Sequence, residues 1–109
     1  MKTMKDRIKE KKPTEYSFTA LKGAMGELEA ANFFMRRGYF VFRNLASHGP
    51  DLIVKKGNKI RVVEVKHGSM VLAAPNNQCD WVFYIQDDQY LLWNVETDDR
   101  TYHTRKTTT

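Results

Sequence analysis

Trp81-Val82-Phe83-Tyr84-Ile85 is an apolar run without polar alternation, and such a run is satisfied as a strand covered on both faces. One covering element is easy to find. Between Thr19 and Arg37, Leu21, Ala24, Met25, Leu28, Ala31 and Met35 recur at three- and four-residue spacing, which predicts an amphipathic helix whose stripe faces the sheet. Thr19 can act as its N-cap, Arg36 and Arg37 suit the negative end of its dipole, and Gly38 can take the left-handed conformation that stops it.

Other strands follow from the same punctuation. Tyr39 to Arg43 reads as a strand, His48-Gly49-Pro50 as a turn and Asp51 to Val54 as the next strand. Lys56-Gly57-Asn58 then reverses the chain into Lys59 to Lys66. After a connection containing Gly68, Pro75 and Asn76-Asn77, with room for a turn or two of helix at most, Trp81–Ile85 and Tyr90–Val95 form a second hairpin around Gln86–Gln89. The expected fold class is α/β: a mixed sheet flanked by one long N-terminal helix, with a second helix short or missing.

At 109 residues the chain is expected to hold one domain, spanning 19–103, between a basic N-terminal segment 1–18 and a frayed C-terminus 104–109. Lys2, Lys5, Arg7, Lys9, Lys11 and Lys12 crowd the first dozen residues, either as a mobile tail or as an arm that lies along phosphates. A single cysteine, Cys79, excludes an internal disulfide, and no apolar stretch is long enough for a membrane helix or a secretory signal. A cytoplasmic protein, acting in a cell or in a phage-infected host, is expected. The net charge of +5 makes a polyanionic partner plausible, although Arg36, Arg37, Arg43, Lys55, Lys56, Lys59 and Arg61 also fit a solvated charged face. Trp81, Tyr84, Tyr90 and Trp93 lie in apolar runs and read as sheet core or dimer surface rather than as base-stacking residues.

Chemistry concentrates in the first hairpin. With a side-chain period of two, Glu64 and Lys66 share one face of their strand, while Arg61, Val63 and Val65 share the other. Glu64 and Lys66 alone could be a plain ion pair on a solvated strand. Asp51 adds a second carboxylate at the same end of the ladder, because Asp51 and Glu64 lie nearly equidistant from the Gly57-Asn58 turn. Clustered carboxylates are costly unless a cation holds them, and a hard divalent ion takes such oxygens. Lys66 beside that ion could orient a hydroxide nucleophile, a set suited to phosphodiester hydrolysis. Glu27 sits at the flank of the helix stripe, able to reach inward, whereas its neighbour Glu29 reads as surface charge.

Gly26-Glu27, the Gly38-Tyr39 helix stop, Pro50-Asp51 and Glu64-Val65-Lys66 together resemble the PD-(D/E)XK nuclease superfamily, over roughly residues 20 to 66. That superfamily includes restriction enzymes, Holliday junction resolvases, intron-encoded homing endonucleases and phage recombination nucleases. The resemblance implies a metal-dependent DNA endonuclease with Glu27, Asp51, Glu64 and Lys66 as its catalytic set. In it, Asp51, Glu64 and the Val65 carbonyl hold Mg2+ or Mn2+, Glu27 binds or orients a second ion or its waters, and Lys66 positions the attacking water. Ser47, His48, His67, Arg43 and Arg36 are candidate DNA contacts, and a homodimer could cut both strands. The chain departs from the superfamily in lacking room for a long helix after the Glu-x-Lys strand. A non-catalytic DNA-binding module with a nuclease-like fold is the alternative, and an RNA-directed nuclease is a third.

Overall fold

The computed structural model describes residues 15–46, 48–68 and 79–106, with only the backbone course given for 15–19. The expected basic segment lies outside these residues up to position 14. The same holds for the connection over 69–78, for Ser47 and for the last three threonines. Helix α1 spans Glu15–Arg36, and six strands follow: β1 Phe40–Arg43, β2 Leu52–Lys56, β3 Lys59–His67, β4 Trp81–Ile85, β5 Gln89–Asn94 and β6 Arg100–Thr104. They form one sheet in the order β1-β2-β3-β4-β5-β6, antiparallel throughout except for the parallel β3–β4 pair. The protein is therefore α/β, a six-stranded mixed sheet carrying one helix.

Helix α1 ends as its sequence requires. Gly38 has φ 87°, its N–H donates to the Met35 carbonyl at 3.0 Å, and the Tyr39 N–H donates to the Phe34 carbonyl at 3.1 Å. This is the Schellman pattern, sealed by the Tyr39 ring against Phe34 at 5.6 Å. At the other end the helix starts four residues before Thr19, so Thr19 is not its cap.

The face that docks is not the predicted one. Ala30, Phe33 and Phe34 are buried against Leu52, Val54, Val63, Phe83 and Ile85, whereas Leu21, Met25, Leu28 and Met35 remain 54–59% exposed. Two apolar stripes compete on this helix, and the one that combines Gly26 and Ala30 with two phenylalanines wins. Gly26 is buried, and a Cβ there would run into the His67 ring and Ile85, so its absence is what lets α1 approach the sheet. That approach drives two phenyl rings into the core, where Phe33 and Phe34 pack edge to face at 5.2 Å and Phe34 stacks on Trp81 at 5.9 Å.

A smaller cluster of Cys79, Val82, Tyr84 and Leu91 is buried on the opposite face, so β4 is covered on both sides as its composition demands.

The sixth strand has no counterpart among the predicted elements. Arg100–Thr104 is polar and mostly exposed, and it forms because β5 offers it a ladder, from Gln89 opposite Thr104 to Trp93 opposite Arg100. Asn94 organises the turn between them: its Oδ1 accepts from the backbone N–H groups of Glu96 and Thr97. Beyond β6, Arg105 is anchored rather than frayed. Its guanidinium donates to Glu29 at 2.7 and 3.0 Å and to the Gln86 carbonyl at 2.8 Å. Glu29, expected to be surface charge, also accepts a hydrogen bond from the Tyr90 hydroxyl, so one carboxylate ties α1 to β5 and to the chain after β6. Burial, with Glu29 next, pushes the Tyr90 phenol up to about 12. Its contribution to stability is therefore complete below the ordinary value of 10 and is lost as pH climbs through about 12. Alkaline ultraviolet titration should show one tyrosine ionising after the others, and Glu29→Gln should bring it back toward them.

Candidate active site

The β2–β3 hairpin pairs Leu52 with Val63, so the next step of the same antiparallel register sets Asp51 opposite Glu64. The expected neighbourhood of the two carboxylates is present. Asp51 Oδ2 accepts the Val65 N–H at 2.8 Å, which fixes the carboxyl at the open end of the hairpin. Burial raises its proton affinity, the Val65 N–H acts against this, and the carboxylates of Glu27 and Glu64 raise it further. Three acidic side chains from α1, the start of β2 and β3 thus act on one another.

Val63 and Val65 pack toward α1, so by strand alternation Glu64 and Lys66 emerge on the other face. Glu64 and Lys66 form no ion pair, and among the described residues Lys66 is paired with no carboxylate at all. The plain ion-pair reading of Glu64-x-Lys66 is therefore not the arrangement found. An exposed ammonium beside half-buried carboxylates is left available for something else.

Glu27 reaches inward, as its helix position suggested, and its Oε2 accepts from Arg43 Nη2 at 2.9 Å. Arg43, a candidate DNA contact, is thus a tether that holds Glu27 between α1 and β1. His67 is similarly engaged: its Nε2 lies 3.2 Å from the Lys22 carbonyl, and its ring fills the space beside Gly26. Its place is in the seam between helix and sheet. His48 and Arg36 are exposed.

The loop before Asp51 is shaped by a residue that sequence reasoning passed over. Asn44 Nδ2 donates to the carbonyls of His48 and Pro50 at 2.7 and 2.9 Å, and its Oδ1 accepts from Ala46 N–H at 2.9 Å. The Asn44 N–H also donates to the Asp51 carbonyl at 3.0 Å. An asparagine directly after a strand is a recognisable turn signal, and here it positions the acidic residue seven places on.

Whether these donors suit a divalent ion is a matter of count and charge. Among the described residues no three His, Cys, Asp or Glu side chains converge closely enough to hold an ion. Glu27 keeps one oxygen on Arg43 while its carboxylate also acts on Asp51. Asp51 and Glu64 remain as a facing pair of hard oxygen donors whose mutual repulsion a cation would relieve, and that pair fits a site completed by a backbone carbonyl and water.

No protein-family model and no curated protein matches the chain. Solved structures with a similar fold include the bacterial homing endonuclease I-Ssp6803I, with a TM-score of 0.59 and 16% identity over 83% of this chain and 78% of that one. The two share a fold. Among the described residues no helix is long and apolar enough to cross a membrane.

Proposed function

We propose that the chain is a divalent-metal-dependent endonuclease acting on DNA, of the PD-(D/E)XK type and of the kind carried by mobile elements. The observation that carries this is Asp51: a carboxyl fixed by the Val65 N–H, facing Glu64, with its proton affinity raised by burial and by two acidic neighbours. Protein folds do not concentrate like charges without compensation, and a bound Mg2+ or Mn2+ supplies it.

In this reading Asp51, Glu64 and the Val65 carbonyl hold the ion, which offsets charge growing on the scissile phosphate. Lys66, on the face of Glu64 and free of any carboxylate among the described residues, orients the attacking water and favours its deprotonated form. Glu27, fixed by Arg43, acts on Asp51 from the helix side and maintains its basicity toward the ion. The net charge of +5 and the homing endonuclease with the same fold both support DNA as the substrate. Cutting both strands of a duplex calls for a symmetric pair of chains.

Cleavage of linear, nicked and four-way-junction DNA with Mg2+ tests the proposal directly. The wild-type chain is expected to cut, to stop when the ion is chelated, and to lose about 10^2-fold or more in rate as Lys66→Met, the scale of one lost electrostatic stabiliser. Sedimentation on the same samples reads the expected pair. Tight binding of all three DNAs without cleavage would favour the non-catalytic module instead.

A further inference from the structure

Among the described residues two clefts are lined by basic side chains, one with an acid beside them and one without. One, of about 430 Å³, is lined by Glu29, Arg36, Arg37, Tyr90 and Lys106 among others, and its acid is already held by Arg105. The other, of about 340 Å³, is lined by Tyr39, Lys56, Lys59, Arg61 and Trp81. It contains no acid.

Its geometry follows from the hairpin. In the β2–β3 register Lys56 pairs with Lys59, and Lys56, Lys59 and Arg61 project on the α1 side of the sheet, as Val54 and Val63 do. They surround two half-buried rings: Tyr39 and Trp81 meet edge to face at 6.1 Å. Lys56 Nζ donates to the Arg37 carbonyl at 2.9 Å and lies 5.1 Å from the Tyr39 ring centre, so it is held in place. Arg61 uses Nη1 on the Ile60 carbonyl at 2.9 Å and keeps its other donors. Among the described residues none of the three cations is paired with a carboxylate. Three positive charges, Lys56 and Lys59 exposed and Arg61 half-buried, thus gather round an aromatic floor with no acid among the residues that line it. An anion resolves that arrangement.

We propose that this cleft takes a backbone phosphate of duplex DNA, as a second anchor remote from the cut. The inference rests on the nuclease reading for the identity of the polyanion, and on the cleft alone for the site. The cleft lies at the turn end of the hairpin, whereas Asp51 and Glu64 lie at its open end. Counted along β3, Lys59 lies five residues and Arg61 three from Glu64, about 17 Å and 10 Å at about 3.4 Å each, and the cleft opens on the α1 face of the sheet whereas Glu64 and Lys66 emerge on the other. Lys59 and Arg61 contact the phosphate, Lys56 supplies fixed positive charge, and Trp81 reports occupancy.

The test uses the full chain as Trp93→Phe, so that Trp81 is the sole tryptophan, with a chelator present so that binding is read without cleavage. Titration with duplex DNA is expected to change Trp81 emission. Lys59→Ala/Arg61→Ala, checked for an unchanged melting curve, should bind at least about tenfold more weakly at moderate salt and lose about two units from the slope of log affinity against log salt. Arg100→Ala, outside the cleft, should leave the slope closer to that of the parent. A single neutral methylphosphonate moved along the duplex should weaken the parent at one position and leave the double variant indifferent there. Equal slopes for parent and double variant, with silent Trp81 emission, overturn the anchor while leaving cleavage, and so the nuclease reading, untouched. Emission changes with single-stranded DNA alone overturn it too, in favour of base stacking on Trp81. A parent that binds no DNA at all removes both readings.

Discussion

Asp51→Asn is expected to abolish cleavage, by about 10^3-fold or more, while leaving a protein at least as stable at neutral pH as the parent. The two halves of that expectation have one cause. Removing a metal ligand forfeits several kcal/mol of transition-state charge stabilisation, and each 1.36 kcal/mol is tenfold in rate. The same carboxyl weakens the fold when ionised, because burial and the charges of Glu27 and Glu64 all favour its protonated form. With the folded proton affinity raised, its stabilising contribution is complete below the ordinary value of 3.8 and is lost as pH rises through the raised one. Asp51→Asn, which keeps the shape and can still accept the Val65 N–H, should therefore match or exceed the parent's melting temperature at pH 7 and lose that advantage near pH 3. A readout independent of cleavage comes from the ion itself. Mg2+ or Mn2+ should raise the parent's melting temperature at neutral pH by binding the folded state alone, and should do little for Asp51→Asn. An Asp51→Asn protein melting well below the parent at neutral pH, with both indifferent to the ion, would sink the metal-site assignment.

Asp51, Glu64 and Lys66 were legible because their placement depends on short-range rules. The tight turn at Gly57-Asn58 fixes the register, and alternation fixes the faces. Glu27 was legible only in part. Its inward reach follows from helix geometry, but its partner Arg43 sits on β1, and which strand residue it meets depends on how α1 lies across the sheet. Glu29 was misread for the same reason: its partners Tyr90 and Arg105 lie far along the chain, and no local pattern announces them. Positions 59 and 61 could be read as basic, yet the cleft needs Tyr39 and Trp81 beside them, a meeting made by the parallel β3–β4 pair across a connection of irregular composition. Strand β6 escaped because its residues carry no burial signal, being held at the edge by backbone pairing with β5.

The docked face of α1 is the point where sequence and structure part most sharply, and a pair of adjacent substitutions decides it. Phe34→Ala is expected to cost about 3–5 kcal/mol, since it empties the centre of the core where Phe34 meets Phe33, Trp81 and Phe83. Met35→Ala, one residue on, is expected to cost well under about 1 kcal/mol, because Met35 is 54% exposed and alanine is the better helix former. Had the Leu21, Met25, Leu28 and Met35 stripe faced the sheet, the order would reverse. Urea unfolding of both variants, read through tryptophan emission, separates the two cases by several kcal/mol, far above the error of extrapolation. The contrast also bears on the site. Phe34 and Glu27 lie seven residues apart, two turns along the same face, so whatever sets Phe34 into the core also sets Glu27 toward Asp51. A Phe34→Ala protein that still folds should therefore lose cleavage beyond its loss of stability, as α1 shifts and Glu27 no longer acts on Asp51.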